Sequence, residues 1–123
     1  MSKLFSLAKT PMGDFIVGIA FGKLSKLIPV KRIKETNKII AFWHPKPFWE
    51  KHILIVPKKA IKKITALKDE DLDYVAEVYK VAKEIVKELE WEKDGYTILT
   101  NGGNRQEVSQ LHFHLASGKQ IVN

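Results

Sequence analysis

Gln110-Leu111-His112-Phe113-His114-Leu115-Ala116 is the stretch on which the reading of this chain turns. Polar and apolar residues alternate along it, and side chains two apart on a strand share a face. The alternation predicts a strand over Gln110 to Ala116, with Leu111, Phe113 and Leu115 turned to a core. Gln110, His112 and His114 then form a row on the opposite face. Two imidazoles and an amide on a rigid strand make an anion site and a platform for nucleophilic attack. A His-x-His pair alone also occurs on ordinary polar sheet faces.

Just upstream, Asn101-Gly102-Gly103-Asn104 reads as a flexible loop. Its glycines let backbone N–H groups approach a phosphate closely, and Arg105 can neutralise one. Tyr96 to Thr100 predicts a strand before it. A long helix precedes that strand, capped by Asp69, with Glu70, Asp71 and Asp73 near the positive end of its dipole. Leu72, Val75, Ala76, Tyr79, Ala82, Val86 and Leu89 make its apolar face, and Asp94-Gly95 ends it. A short helix is expected over Ala60 to Leu67.

Towards the N-terminus, His52 to Val56 is an apolar strand closed by Pro57. Lys38 to Trp43 and Val30 to Glu35 read as two more strands, joined by a Thr36-Asn37 turn. His44-Pro45-Lys46-Pro47 is a loop, because two prolines this close forbid regular pairing. An amphipathic helix from about Met12 to Leu27 presents Ile16, Ile19, Ala20, Leu24 and Leu27. It is expected to pack on the core, with docking on a membrane surface or a partner as the alternative. One long helix among strands with hairpin-length links argues for an α+β fold and a mainly antiparallel sheet.

The 123 residues form one domain, 1–123, large enough for a core without staples. The chain has no cysteine, which excludes a disulfide framework, a thiolate zinc site and a cysteine nucleophile. The net charge of +7 is uneven: residues 23–63 carry 12 basic and 2 acidic side chains, residues 64–94 carry 5 and 10. Anionic partners follow, without a choice among nucleotide, nucleic acid and lipid headgroup. Most of the lysines near the short helix (Lys58, Lys59, Lys62, Lys63) are expected to be simply solvated. The apolar run Phe15 to Phe21 is far short of the ~20 residues that span a membrane. Lys3 and Lys9 precede it, but no small-residue cleavage site follows, so a cytoplasmic protein is expected.

His52 is expected either near His112 and His114 or as a buried structural histidine. A metal held by His112, His114 and His44 or His52 is a further alternative, with no carboxylate nearby in sequence to complete it. Trp43, Trp49 and Trp91 are expected in the core or an interface. Phe48 and Trp49 either cover a base or an apolar leaving group, or pack within their loop.

Taken together, the chain resembles the histidine triad (HIT) family, whose signature alternates histidine and apolar residues as 110–116 does here. Ala41-Phe42, the His52-to-Val56 strand with Pro57-Lys58-Lys59, Gly95-Tyr96 leading to Asn101, and Ile28-Pro29 fit the same pattern. The match covers about residues 20–119, leaving 1–19 as an N-terminal extension. The resemblance implies a five-stranded antiparallel sheet with one long helix, usually as a homodimer. It implies a nucleotide hydrolase or nucleotidyl transferase acting on a nucleotide-like phosphate compound. His112 would attack the α-phosphorus to give a nucleotidyl-histidine, His114 would support the developing charge, and Gln110 would stand at the first triad position. Asn101 and Phe42 would line the nucleotide pocket and His52 would support the triad, with no cofactor and no metal; His44 and Arg105 are expected beside the nucleotide from their own position and chemistry. The chain departs from the family pattern at Gln110, which replaces a histidine. It departs again at His44, where relatives carry a ribose-binding Asp, and at Arg105 and Glu107, where they carry small Gly and Ser. A nucleotide- or nucleic-acid-binding module without catalysis is the alternative.

Overall fold

The computed structural model describes residues 11–20 and 31–121. Helix α1 (Pro11–Ala20) is followed by strands β1 (Arg32–Glu35), β2 (Ile39–Trp43) and β3 (Trp49–Pro57). Helix α2 (Leu72–Leu89) and one-turn helix α3 (Trp91–Asp94) come next, then β4 (Thr97–Leu99) and β5 (Phe113–Gln120). The five strands form one sheet in the order β1-β2-β3-β5-β4, with every pair antiparallel. The fold is thus α+β, as the sequence predicts.

Helices cover both faces. On one, Val78, Val81, Ile85 and Trp91 pack against Ile39, Ala41, Ile53, Ile55, Phe113 and Leu115. On the other, Phe15, Ile16 and Ile19 of α1 pack on Ile40, Phe42, Leu54, Val56 and Val108. Each of these fully buried α1 side chains contributes about 1.5–3 kcal/mol of burial. The apolar face of α1 is therefore occupied by the sheet rather than free for a membrane surface. Leu24 and Leu27 lie outside the described residues.

Several expected boundaries move. Residues 110–112 precede β5 instead of opening it, and the strand continues to Gln120. The helix expected over Ala60 to Leu67 is only a 3-10 turn at Ile64–Ala66. Asp69 lies inside a second such turn, and it is the Asp71 carboxylate that accepts the Lys68 N–H, at 3.0 Å. Helix α2 ends at Leu89 because Glu90 turns left-handed (φ 58°). Gly95 (φ 90°) then closes α3. Leu72, Tyr79 and Leu89, expected on the buried face, are 53%, 51% and 40% exposed. Trp49 lies in β3 instead of the loop, and Trp43 meets Trp91 edge-on at 6.3 Å.

The basic stretch is partly neutralised within the fold. Lys58 pairs with Glu35 at 2.7 Å and Lys34 with Glu88 at 2.6 Å. Lys59 hydrogen-bonds the buried Asp71. Two of the lysines expected to be solvated thus tie elements together. Among the described residues no helix is long and apolar enough to cross a membrane.

Candidate active site

All four histidines gather on the sheet face that also carries α1. Alternation explains how: Ile53 and Ile55 face α2, so His52 and Leu54 face the other way, and β5 places His114 likewise. Leu54 pairs with His114 and His52 with Ala116, which brings His52 and His114 diagonally together. His44 follows β2 directly, and its N–H donates to the His52 carbonyl at 2.8 Å. The His44 and His52 rings stack at 4.5 Å, His52 and His114 lie 5.1 Å apart, and His114 and His112 5.2 Å.

Hydrogen bonds fix which nitrogen of each ring carries its proton. The Phe48 N–H donates to His52 Nδ1 at 3.0 Å, so His52 Nε2 is protonated. That Nε2–H donates to His114 Nδ1 at 2.8 Å, which leaves His114 Nε2 as an N–H donor. His112 is the reverse. Its Nδ1 lies 2.7 Å from the Gln110 carbonyl, which only accepts, so Nδ1 is protonated and Nε2 keeps its lone pair. The Lys46 N–H donates to His44 Nδ1 at 3.0 Å, so His44 Nε2 is also a donor.

These assignments require neutral rings, and burial supplies that. It pushes His44 down to about 4 and His52 and His114 to about 3, with neighbouring imidazoles adding to the effect. Burial also lowers His112. There the Gln110 carbonyl and the Glu107 carboxylate oppose it, help that the other three rings lack. His112 is therefore a neutral base whose positive form is the best supported of the four.

His112 is anchored on both sides. Thr100 Oγ1–H donates to the His112 carbonyl at 2.7 Å, and the Leu111 N–H donates to the Ile61 carbonyl at 2.7 Å. Phe48 lies tilted against His44 and His52 at 5.2 and 5.5 Å, and Trp49 meets His52 edge-on at 5.0 Å. Among the described residues no three His or carboxylate side chains are placed to share a metal ion.

The other expected contacts divide. Gln110 does not line the site with its amide. Its Oε1 accepts the Ile61 N–H at 3.1 Å, and its Nε2 donates to the Lys59 and Pro57 carbonyls at 2.8 and 3.3 Å. Only its backbone carbonyl reaches His112. Phe42 is fully buried, edge-on to Phe15 at 5.3 Å, and belongs to the α1 core. Asn101 is half-buried next to Thr100, while Arg105 is exposed at the end of the Gly103–Arg105 turn. The Phe48 N–H, the Thr100 hydroxyl and the Gln110 carbonyl escape a sequence reading, because backbone groups and lone hydroxyls leave no periodic signal. Tertiary register alone brings them to the histidines.

The family profile described as HIT domain matches residues 25–121. A protein of Buchnera aphidicola described as an uncharacterized HIT-like protein is 32% identical over 104 residues, 82% of this chain and 93% of that protein. The solved structure of a HIT family hydrolase from Legionella pneumophila superposes with a TM-score of 0.72 at 31% identity, covering 86% of this chain and 93% of that one. A histidine triad nucleotide-binding protein from Candida albicans gives 0.66 at 30% identity, covering 87% and 80%.

Proposed function

On the premise that the chain belongs to the HIT family, we propose that it is a nucleotide hydrolase or nucleotidyl transferase working through a covalent intermediate on His112. The carrying observation is the proton pattern: one ring nitrogen with a free lone pair, His112 Nε2, beside donors at His114 Nε2 and His44 Nε2. The names of the Legionella and Candida relatives, a hydrolase and a nucleotide-binding protein, support nucleotide chemistry.

In this reading His112 Nε2 attacks the α-phosphorus of a nucleotide ester, anhydride or phosphoramidate. The bond to the leaving group breaks, and that group departs with the electron pair and takes a proton from water. His112 becomes a phosphoryl-imidazolium. Its Nδ1–H bond to the Gln110 carbonyl strengthens as the ring gains charge, and the Glu107 carboxylate adds favourable potential. The His114 N–H, oriented through His52 by the Phe48 N–H, stabilises phosphoryl oxygen charge. Water then attacks phosphorus and gives up a proton to the hydroxide left by the first step, the P–N bond breaks and the lone pair returns to Nε2. In transfer, another acceptor replaces water.

The test incubates the protein with nucleoside phosphoramidates, dinucleoside polyphosphates and nucleotide sugars. Intact mass should show a nucleotidyl adduct that His112→Ala abolishes. Turnover persisting in His112→Ala would remove the mechanism.

A second reading, a nucleotide- or nucleic-acid-binding module without turnover, is favoured by Gln110, whose amide carries no titrating proton and is taken up by the Ile61 N–H and the Lys59 carbonyl. It predicts salt-sensitive binding with no adduct. Homodimerisation is part of the proposal. Exposed Tyr79 and Tyr96 border a groove of about 310 Å³ between α2 and β4, beside a short sheet edge open to a second strand. A cytoplasmic setting completes it.

A further inference from the structure

His44 Nε2 is the one buried side-chain polar atom without a hydrogen-bond partner among the described residues. The residue is 4% exposed. Its proton cannot shift to the other nitrogen, because His44 Nδ1 already accepts the Lys46 N–H at 3.0 Å. A buried, unpaired N–H costs about 1–3 kcal/mol unless something in the site accepts from it. No neighbouring ring offers relief. His52 uses both nitrogens, with Phe48 and His114, and the Phe48 ring carries no nitrogen or oxygen to accept. His112 Nε2 keeps a lone pair, but a hydroxyl bridging His44 to it would occupy the nucleophile.

We propose that His44 is a specificity-determining residue whose Nε2–H binds an acceptor-only oxygen of the ligand, that is, a phosphate oxygen. This rests on the nucleotide reading of the same site. An oxyanion accepts without having a proton of its own to place, and a charged acceptor makes a bond about twice as strong as a neutral one. A ribose hydroxyl can accept from His44, but its own proton then needs an acceptor that His44 does not supply. The oxygen can come from the phosphate that His112 attacks or from a second phosphate on the same ligand.

Two probes separate these sources: adenosine 5′-monophosphate and adenosine 3′,5′-bisphosphate. Calorimetry would compare the wild-type protein with His44→Phe, which keeps a ring against His52 and removes the N–H. A tenfold or larger loss of affinity for both probes, with affinity for adenosine itself unchanged, assigns the bond to the 5′-phosphate, whereas an equal loss for adenosine assigns it to the nucleoside and overturns the proposal. A loss confined to the bisphosphate assigns it to a second phosphate. Unchanged affinity for both in a folded His44→Phe overturns the proposal.

Imidazole ¹H–¹⁵N spectra of the wild-type protein provide a check that needs no variant. The His44 Nε2–H signal should move downfield when the bound probe is present, and a signal that stays in place overturns the role of His44. If wild-type protein binds neither probe and forms no adduct on His112, the nucleotide reading fails along with it. Binding without any His44 response removes this inference alone.

Discussion

At the scale of single residues, one carbonyl and one amide decide what Gln110 does. The amide bridges the 57–61 backbone to the start of β5, and the carbonyl holds the His112 ring. Gln110→Ala should therefore lower stability by about 1–3 kcal/mol, because the Ile61 N–H and Lys59 carbonyl lose buried partners. Thermal denaturation checks this, and an unchanged Tm with activity abolished would instead return Gln110 to a catalytic role. The period-two alternation in the sequence is correct from Leu111 onward, two residues before β5 begins: Leu111 joins the core of Phe113 and Leu115, and His112 stands beside His114. It misplaces Gln110, whose amide is held by the Ile61 N–H and the Lys59 carbonyl. His112 and His114 were legible from their spacing. Their proton states were not, since those depend on Phe48, His52 and Gln110, which meet them only through sheet register.

The long helix shows the same limit one level up. Its apolar residues form an arc wider than a single contact face. The expected stripe included Leu72, Tyr79 and Leu89, whereas the buried one is Val78, Val81, Ala82, Ile85 and Val86. Periodicity gave the helix itself but not which edge of the arc meets the sheet, because that depends on where Ile53, Ile55, Phe113 and Leu115 lie. Ile85→Ala should cost about 2–5 kcal/mol, measured by denaturant unfolding. Tyr79→Ala, half exposed, should cost far less in the monomer. If α2 and β4 form the proposed dimer face, Tyr79→Glu should convert a dimer into a monomer in light scattering after size exclusion, with the fold retained. A dimer that survives Tyr79→Glu would place the interface elsewhere. Gly118 adds an element-level constraint: at φ +85° an added Cβ would lie 2.5 Å from Glu50 Oε1. Gly118→Ala should destabilise the β3–β5 pair by about 1 kcal/mol or more, read as a lower Tm.

Over the whole molecule, the basic charge and the histidine cluster respond to acid in the same direction. Positive charge is already in excess at +7, and acid adds to it. His44 is held at about 4, and His52 and His114 at about 3, all below the ordinary value of 6.5. In the unfolded chain these rings take up protons as pH falls below 6.5, while in the folded protein they remain neutral until pH 3–4. Between those limits the unfolded state binds more protons, so stability rises with pH and is lost on acidification. Above pH 6.5 both states are neutral at these positions and the effect vanishes. Tm should therefore be flat from pH 7 to 8 and fall by more than about 10 °C by pH 5, at about 4–8 °C per kcal/mol for a small domain. Carboxylate pairs such as Asp71–Lys59 do not account for that window, because the Asp71 carboxyl lies below its usual range and stays ionised through it. A Tm independent of pH between 5 and 7 would mean that the four rings are not buried as neutral bases, and with them the tautomers on which the nucleophile and its donors rest would have to be reassigned.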